Sequence, residues 1–318
     1  MDKYISLKDC LKELNKDKYS LPIILGKDSK GNIHIKDLKE LKNILISGAT
    51  GSGKSVFLHS FLITTLLNTS SKDVKFILID PKMGVEMEMY NGLSYLFIPV
   101  IHFMEEAYQI LQWCLEEIER REKNNTTNSS IVIVIDELSD VMLADTNKAT
   151  MLERIVKEGS RVGIYTILST SRARNDVVTD TLQKYINVRI AGALASSQDS
   201  KTVLGEQGAE DLLGNGDMIF KNMDTGEKIR VQAPYVSTEE TEKFLEIFSK
   251  NDEVEEEVDP LYEDAKKLVV ESQKASASFL QRRLEIGFIR GVRLINQLEK
   301  HGVISPFKGT KPREVLID

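Results

Sequence analysis

The sequence predicts an α/β fold in which helices cover a parallel β-sheet, followed by a small second domain. Between residues 23 and 235, short β-branched runs alternate with longer segments of helical periodicity, as in consecutive βαβ units. An acidic run from Asp252 to Asp259 separates this region from the C-terminal segment. We therefore predict a large domain over residues 1–248, an acidic linker over 249–260 and a C-terminal domain over 261–318.

Apolar runs and helical periodicity locate the main elements of the large domain. The predicted buried strands are residues 43–47, 75–79, 131–135 and 164–169, and the predicted helices are residues 54–68, 105–123 and 148–160. Each of these strands ends in polar or glycine-rich sequence. Because α/β folds bind ligands at the carboxyl ends of their strands, the functional site is expected at that edge of the sheet.

Composition and charge exclude several classes of protein. The longest apolar runs are well short of the roughly 20 residues that span a bilayer, and the N-terminus lacks the apolar core of a signal peptide. We therefore expect a soluble, cytoplasmic chain without a membrane segment. Cys10 and Cys114 have no cysteine or histidine at metal-ligand spacing, which argues against a disulfide framework and a zinc site. The formal net charge is -7, but the tail beyond the acidic run is basic.

A glycine-rich segment directly follows the predicted strand 43–47 and opens the next predicted helix. Its sequence, Gly-Ala-Thr-Gly-Ser-Gly-Lys-Ser, fits the pattern GxxxxGK[ST]. Glycines allow backbone N–H groups to surround phosphates at the positive end of the following helix. In such a loop Lys54 reaches the β- and γ-phosphates, and the hydroxyl of Ser55 binds Mg²⁺. The predicted nucleotide-binding residues are Gly48, Ala49, Thr50, Gly51, Ser52, Gly53, Lys54 and Ser55.

The predicted strand 131–135 ends in two carboxylates, Asp136 and Glu137. Nucleotide hydrolysis needs a metal ligand and a base close to the γ-phosphate. We assign the Mg²⁺ contact to Asp136 and the polarisation of the attacking water to Glu137. Since the sequence has no Asn-Lys-x-Asp segment for reading guanine, we predict that the nucleotide is ATP. Lys54, Asp136 and Glu137 are thus candidate catalytic residues.

Further motifs extend along the chain on both sides of the two carboxylates. Asp80-Pro-Lys-Met83 follows the strand 75–79, and Gly208-Ala-Glu-Asp-Leu-Leu-Gly-Asn-Gly-Asp-Met218 lies near the end of the large domain. The others are Leu25-Gly-Lys27, Glu119-Arg-Arg121, Asp259-Pro-Leu261, Lys274-Ala-Ser276 and Arg313-Glu-Val-Leu316. With the glycine-rich loop and the Asp136-Glu137 pair, this order resembles the FtsK/SpoIIIE family of DNA translocases over nearly the whole chain.

The resemblance implies a RecA-like P-loop NTPase domain that hydrolyses ATP with Mg²⁺ and pumps double-stranded DNA through a homo-hexameric ring. It implies ATP sites between subunits, where a cation from the neighbour stabilises charge in the transition state. Arg161 lies in the family's region for that cation, although it stands two residues before Gly163 rather than three. Roles in chromosome segregation or mobile-element DNA transfer, with a recombinase or channel as partner, follow from the same resemblance.

Two other positions of the large domain depart from the family's pattern. Ser171 stands where the family has a glutamine expected to sense the γ-phosphate, and the shorter serine cannot bridge the same distance. Lys201 replaces an arginine, which keeps the charge but loses the planar guanidinium. Ser171 motivates one alternative, a nucleotide-gated DNA-binding module with weak turnover. A second alternative is a coupling ATPase of a secretion or conjugation system, because such ATPases share the fold.

The C-terminal segment is predicted to form three helices, over residues 261–272, 276–284 and 289–301, with a turn at Gly287. Two short strands around the loop 306–312 are expected to form a wing. This segment resembles the winged-helix gamma domain of the same family, although Ile289 stands where that family often has asparagine. A domain used only for protein contact is the alternative. The candidate DNA-binding residues are Arg290, Arg293, Lys308 and Lys311, and Asn296 and Gln297 are also expected to be exposed.

Overall fold

A computed structural model describes residues 4–82, 87–127, 129–144, 146–249, 258–306 and 313–317. The strands in these residues are β1 (Ile5–Ser6), β2 (Pro22–Lys27), β3 (Ile33–Asp37), β4 (Asn43–Ser47), β5 (Val74–Ile79), β6 (Ser130–Asp136), β7 (Ile164–Thr170), β8 (Val188–Ala191), β9 (Asp217–Asn222), β10 (Lys228–Gln232) and β11 (Pro234–Tyr235).

The α-helices in the same residues are α1 (Leu7–Lys12), α2 (Leu38–Leu41), α3 (Lys54–Asn68), α4 (Met104–Asn124), α5 (Leu138–Ala144), α6 (Thr146–Glu158), α7 (Asp180–Tyr185), α8 (Ser197–Leu204), α9 (Thr238–Ser249), α10 (Tyr262–Ser272), α11 (Ala277–Leu284) and α12 (Phe288–Lys300). Short 3-10 helices cover Glu88–Tyr90, Gly159–Val162 and Ala209–Asp211. The predicted strand 43–47 and helix 54–68 have the predicted bounds, and the other predicted strands of the large domain agree within one residue at each end.

The large sheet has nine strands in the order β3-β2-β10-β9-β8-β4-β7-β6-β5. From β8 to β5 the pairings are parallel, as the sequence predicts. The remaining strands, β9, β10, β2 and β3, extend the sheet through antiparallel pairings, which the sequence analysis did not predict. β4, which leads into the glycine-rich loop, lies between β8 and β7, and β7 lies between β4 and β6. The fold is therefore α/β, with a sheet whose five strands from β8 to β5 are parallel and whose other strands extend it antiparallel.

Hydrophobic residues of the central strands alternate between two separate cores, one on each face of the sheet. In β6, Val132 and Val134 pack with the aromatic residues Phe57 and Phe61 of α3. The intervening Ile133 packs instead with residues of α4 and α6. A strand that is buried on both faces needs a continuous apolar sequence, which explains the uninterrupted run in β6.

Helices α10, α11 and α12 enclose a third hydrophobic core of their own. Gly291 of α12 lies so close to α11 that an added Cβ would be 2.8 Å from the carbonyl oxygen of Ala277. Two α12 residues, Ile289 and Val292, also pack against the core formed by α4 and α6. The acidic stretch 250–257 lies outside the described residues, so the domain boundaries remain a prediction. No helix of the described residues is long and apolar enough to cross a membrane.

Arg121, one of the residues in the family-like motif 119–121, is a buried structural residue. Its side chain is 4% exposed, and its Nε donates to Glu117 Oε1 at 2.7 Å. One terminal nitrogen donates to the carbonyl oxygens of Ser129 and Val162, both at 2.9 Å. Arg121 therefore joins α4 to the segment entering β6 and to the 3-10 helix before β7.

We predict that Arg121→Ala lowers the free energy of unfolding by roughly 3–5 kcal/mol, since it leaves the buried Glu117 with one fewer partner and two carbonyl groups without their donor. Arg120→Ala is the matched control because Arg120 pairs with the same carboxylate but its side chain is 52% exposed. Its cost should stay near 0–1 kcal/mol. Urea unfolding of both variants measures the difference, and equal losses would contradict the structural role of Arg121.

Candidate functional site

The glycine-rich loop connects β4 to α3 and surrounds the side chain of its own lysine. Gly53 caps α3 with a left-handed conformation, φ 101°, which glycine adopts without steric cost. Lys54 Nζ donates to the carbonyl oxygens of Gly48 at 2.5 Å and Ala49 at 3.1 Å. The ammonium group is thus held inside the curve of the loop, beside the positive end of α3, where an anion would be stabilised. Ser55 follows Lys54 in the first turn of α3.

The segment 209–217 supports the glycine-rich loop through backbone hydrogen bonds. The N–H groups of Asn215 and Gly216 donate to the carbonyl oxygens of Gly51 at 3.0 Å and Ser52 at 2.9 Å. An added Cβ on Gly53 would lie 2.6 Å from the Gly216 nitrogen, so this approach requires glycine. The family-like motif Gly208–Met218 therefore has a physical role, which is to support the loop.

Asp136 ends β6 beside the loop and is fully buried. Its Oδ2 accepts a hydrogen bond from Lys82 Nζ at 3.1 Å, so the carboxylate has a cationic neighbour. Ser169 of β7 pairs with Asp136 of β6. Ser47 is the last residue of β4, on the other side of β7. Among the described residues, the buried hydroxyls of Ser47 and Ser169 have no hydrogen-bond partner. A buried carboxylate beside the unpartnered hydroxyl of Ser169 fits a hydrated Mg²⁺, which prefers oxygen ligands and retains water.

Glu137 is held in an unusual backbone conformation, with φ 91°, and its side chain is bound by several donors. Its Oε1 accepts from the hydroxyls of Ser139 and Thr170, both at 2.8 Å. Its Oε2 accepts from the Ser171 hydroxyl at 2.6 Å. Burial raises the pKa of the Glu137 carboxyl, but the hydrogen bonds from Ser171, Thr170 and Ser139 outweigh it, and the pKa lies below its ordinary value. The group is therefore a carboxylate at neutral pH.

Arg161 lies apart from the other candidate catalytic residues. It is exposed in the 3-10 helix that precedes β7, whereas the glycine-rich loop, Asp136 and Glu137 lie at the opposite, carboxyl edge of the sheet. The seven residues of β7 separate the two edges by roughly 20 Å, at about 3.3 Å per residue. Arg161 therefore does not reach the site of its own chain.

The predicted DNA-binding arginines lie on α12, and both have contacts in the structure. Arg290 forms two hydrogen bonds to the Asp259 carboxylate, at 2.9 Å and 2.7 Å. The guanidinium of Arg293 lies 5.9 Å from the centre of the Phe97 ring. The two predicted strands of the wing pair antiparallel through Ile304 and Val315, and the Ser305 N–H donates to the Glu314 carbonyl oxygen at 2.8 Å. Residues 307–312 of the loop between them, with Lys308 and Lys311, lie outside the described residues, as does Met83.

The expectation that Gln297 is exposed was wrong. Gln297 is buried, and its Oε1 accepts a hydrogen bond from the Asp259 N–H at 3.1 Å. Asn296 is half-buried, and Lys201 is exposed on α8.

Sequence reasoning missed Lys82, Ser139 and Thr170 as parts of the site. Lys82 was visible as the lysine of the Asp80-Pro-Lys motif, but its pairing with Asp136 is a contact between residues far apart in sequence. The two hydroxyl residues carried no motif of their own. Their contact with Glu137 follows from the placement of β7 beside β6.

Solved structures with the same fold include ATPases of transfer systems. The chain is similar to the pCW3 conjugation coupling protein TcpA, with a TM-score of 0.65 and 23% identity over 78% of this chain and 75% of that one. It is also similar to the cytoplasmic domain of the Thermomonospora curvata type VII secretion ATPase EccC, with a TM-score of 0.65 and 23% identity over 74% of this chain and 32% of that one. These likenesses establish the fold.

Sequence relatives point to one family. The DNA translocase FtsK of Caldanaerobacter subterraneus subsp. tengcongensis is 38% identical over 340 residues, which are 96% of this chain and 48% of the relative. The DNA translocase FtsK of Treponema pallidum is 38% identical over 343 residues, which are 94% of this chain and 43% of the relative. The chain thus spans less than half the length of these relatives.

Two family models match separate parts of the chain. Residues 10–126 match the FtsK/SpoIIIE family, and residues 256–318 match the Ftsk gamma domain. The order of these two matches is the order of the large domain and the C-terminal helices. With the relatives above, they establish that the chain belongs to the FtsK/SpoIIIE family.

Proposed function

We propose that this chain is an ATPase motor that drives double-stranded DNA through a ring of its own copies. The observation that carries the proposal is the convergence of Lys54, Asp136 and Glu137 at one edge of the sheet. The loop 48–55 would bind the phosphates through its N–H groups and Lys54. Mg²⁺, held by Ser55 and Asp136, would neutralise phosphate charge there.

Glu137 is the residue that would activate the attacking water. Its carboxylate would accept the proton of the attacking water, for which a buried and ionised carboxylate close to the phosphate loop is suited. The ammonium of Lys54 would leave the two loop carbonyl groups and bind phosphate oxygens instead, which are stronger acceptors because they are charged. Lys82 would remain near Asp136 as a second source of positive charge.

Arg161 supports the assembly part of the proposal. Since it cannot reach its own site, an interaction with ATP requires a second chain. We propose a homo-hexamer in which the Arg161 of one chain stabilises transition-state charge at the site of the next. Such a motor would work in the cytoplasm, in chromosome segregation or in mobile-element DNA transfer, with a recombinase or channel as partner.

We propose the domain division already given, with residues 1–248 as the motor, 249–260 as the linker and 261–318 as a winged-helix domain that binds duplex DNA. The three-helix core and the two α12 arginines support this role, and Lys308 and Lys311 complete the proposed contact set. Ser171, which stands where the family has a glutamine expected to sense the γ-phosphate, favours one alternative, a DNA-binding module gated by nucleotide but with little turnover. ATPase rates with and without linear duplex distinguish the two.

We predict Mg²⁺-dependent ATPase activity that duplex DNA stimulates and that Lys54→Ala reduces by about a hundredfold or more, because the main cationic contact to the phosphates is lost. Lys123→Ala is the control, since Lys123 is exposed near the end of α4, at the other edge of the sheet. A steady-state phosphate-release assay measures both. Unchanged turnover in Lys54→Ala would reject the motor, and negligible turnover of the unmodified chain with DNA would favour the gated module.

We predict that Arg161→Ala and Lys54→Ala chains, each inactive alone, recover part of the ATPase activity when mixed. The Arg161→Ala chain keeps an intact phosphate loop, and the Lys54→Ala chain supplies the arginine across the boundary. Activity is measured over a series of mixing ratios, with assembly of each variant checked by analytical ultracentrifugation. Mixtures that assemble but stay inactive at every ratio count against Arg161 as the trans cation.

We predict that Asp259→Asn strengthens duplex binding by the full chain about fivefold or more, because it releases Arg290 for DNA, and that Arg290→Ala weakens it. Glu263→Gln, at an exposed acid of α10, controls for the loss of one negative charge. Affinity is measured by fluorescence anisotropy at two salt concentrations. If Asp259→Asn strengthens binding equally in the Arg290→Ala background, Arg290 does not contact DNA.

A further inference from the structure

Ser171 immediately follows β7, the strand that separates the glycine-rich loop from the strand of Asp136. Its hydroxyl donates to Glu137 Oε2 at 2.6 Å, and its backbone N–H lies 3.2 Å from both carboxylate oxygens. No other hydroxyl of the described residues donates to Oε2. Ser171 thus contacts the proposed base through two separate groups, although it stands where the family has a glutamine.

The two oxygens of the Glu137 carboxylate differ in their remaining capacity. A carboxylate oxygen accepts about two hydrogen bonds in its plane. Oε1 already accepts from the hydroxyls of Ser139 and Thr170, each at 2.8 Å. Oε2 accepts one hydroxyl, that of Ser171, and shares the Ser171 N–H with Oε1, so Oε2 is the oxygen with fewer donors. The oxygen available for the attacking water is therefore the one whose orientation Ser171 sets.

We propose that Ser171 is a positioning residue that acts through Glu137, by holding Oε2 in the orientation that accepts the proton of the attacking water. The inference rests on the function proposed above. In place of a direct contact to the γ-phosphate, this chain uses the position to orient the base. The short serine side chain places its hydroxyl directly beside the carboxylate, at 2.6 Å from Oε2.

The charged groups on the adjoining elements are Lys82, Asp140, Arg172 and Lys54. Lys82 bonds to Asp136, and Lys54 lies within its own loop. Asp140 contacts the Ser139 hydroxyl at 3.5 Å, and the Arg172 side chain is exposed. The donors to the two Glu137 oxygens are hydroxyl and backbone N–H groups, so the orientation of the carboxylate depends on neutral donors.

The test compares Ser171→Ala, which removes the hydroxyl, with Ser171→Thr, which keeps one, in the full chain. We expect Ser171→Ala to lower kcat about tenfold, because a base free to rotate spends less time in the reactive geometry. KM for ATP and the affinities for ATP and ADP should not change, and Ser171→Thr should restore most of kcat. Ser60→Ala is the matched control, since Ser60 is a buried serine of α3 whose hydroxyl has no hydrogen-bond partner among the described residues.

Two results would overturn the inference. The first is a loss of affinity for ATP relative to ADP in Ser171→Ala, which would mean that Ser171 contacts the γ-phosphate itself. The second is a loss of kcat on adding Ser171→Ala to the Glu137→Gln variant that is as large as the loss in the unmodified chain. A residue that acts through Glu137 has nothing to act on in that background, so no such loss is expected.

A second measurement distinguishes failure of this inference from failure of the proposed function. In the nucleotide-free chain, a double-mutant cycle of unfolding free energies for Ser171→Ala and Glu137→Gln measures their contact without any turnover. Additive effects in that cycle overturn the inference even if the ATPase is fast. A clear coupling combined with no ATPase in the unmodified chain rejects the motor proposal and, with it, a positioning role in hydrolysis.

Discussion

Parallel pairing of β4, β7 and β6 is the constraint on which the site depends. Parallel strands bring their carboxyl ends to one edge, so the segments that follow them meet there although they are distant in sequence. The glycine-rich loop follows β4, and the carboxylates of Asp136 and Glu137 lie at the carboxyl end of β6. The hydroxyl of Thr170 lies at the end of β7, and that of Ser171 immediately after it. The pairing of Asp136 with Ser169, and of Thr170 with Ser47, sets the relative depth of these groups. A slip of one residue in either pairing would turn these side chains to the other face of the sheet.

Three charged side chains at this edge of the sheet are each stabilised by a different kind of partner. Lys54 is held by loop carbonyl groups, Asp136 by the ammonium of Lys82, and Glu137 by hydroxyl and amide donors. Each arrangement offsets the cost of desolvating a charged group. Each is also exchangeable, because phosphate, a metal ion and water can replace the internal partners. The nucleotide-free site is thus stable and still able to bind.

Local sequence signals predicted the parts of the fold and site that depend on neighbours in the chain. Helix α3 and strand β4 have their predicted bounds because a glycine-rich loop separates a continuous apolar run from a helical pattern. The antiparallel extension by β9, β10, β2 and β3 was missed, since the pairing partners of a strand are not encoded in any one segment. The contacts of Asp259 with Arg290 and with Gln297 were also missed, since each joins residues more than thirty positions apart in the chain. The arginine at position 121 was noticed through family likeness alone, and its three hydrogen bonds explain why that residue type is needed.

The backbone contact between Gly216 and the phosphate loop has a consequence for how the two halves of the sheet communicate. Gly216 immediately precedes β9, and its carbonyl oxygen accepts the N–H of Ala233, which follows β10. A displacement of Ser52 or Gly53 would therefore reach the antiparallel half of the sheet through these peptide groups and through the Gln232 side chain, whose Nε2 donates to the Asn215 carbonyl oxygen at 2.7 Å. Gly53 and Gly216 must remain glycine because their backbones approach closely, and the length of the connection is also constrained. An insertion of a single residue between Gly214 and Asp217 would uncouple the halves more thoroughly than most side-chain replacements there.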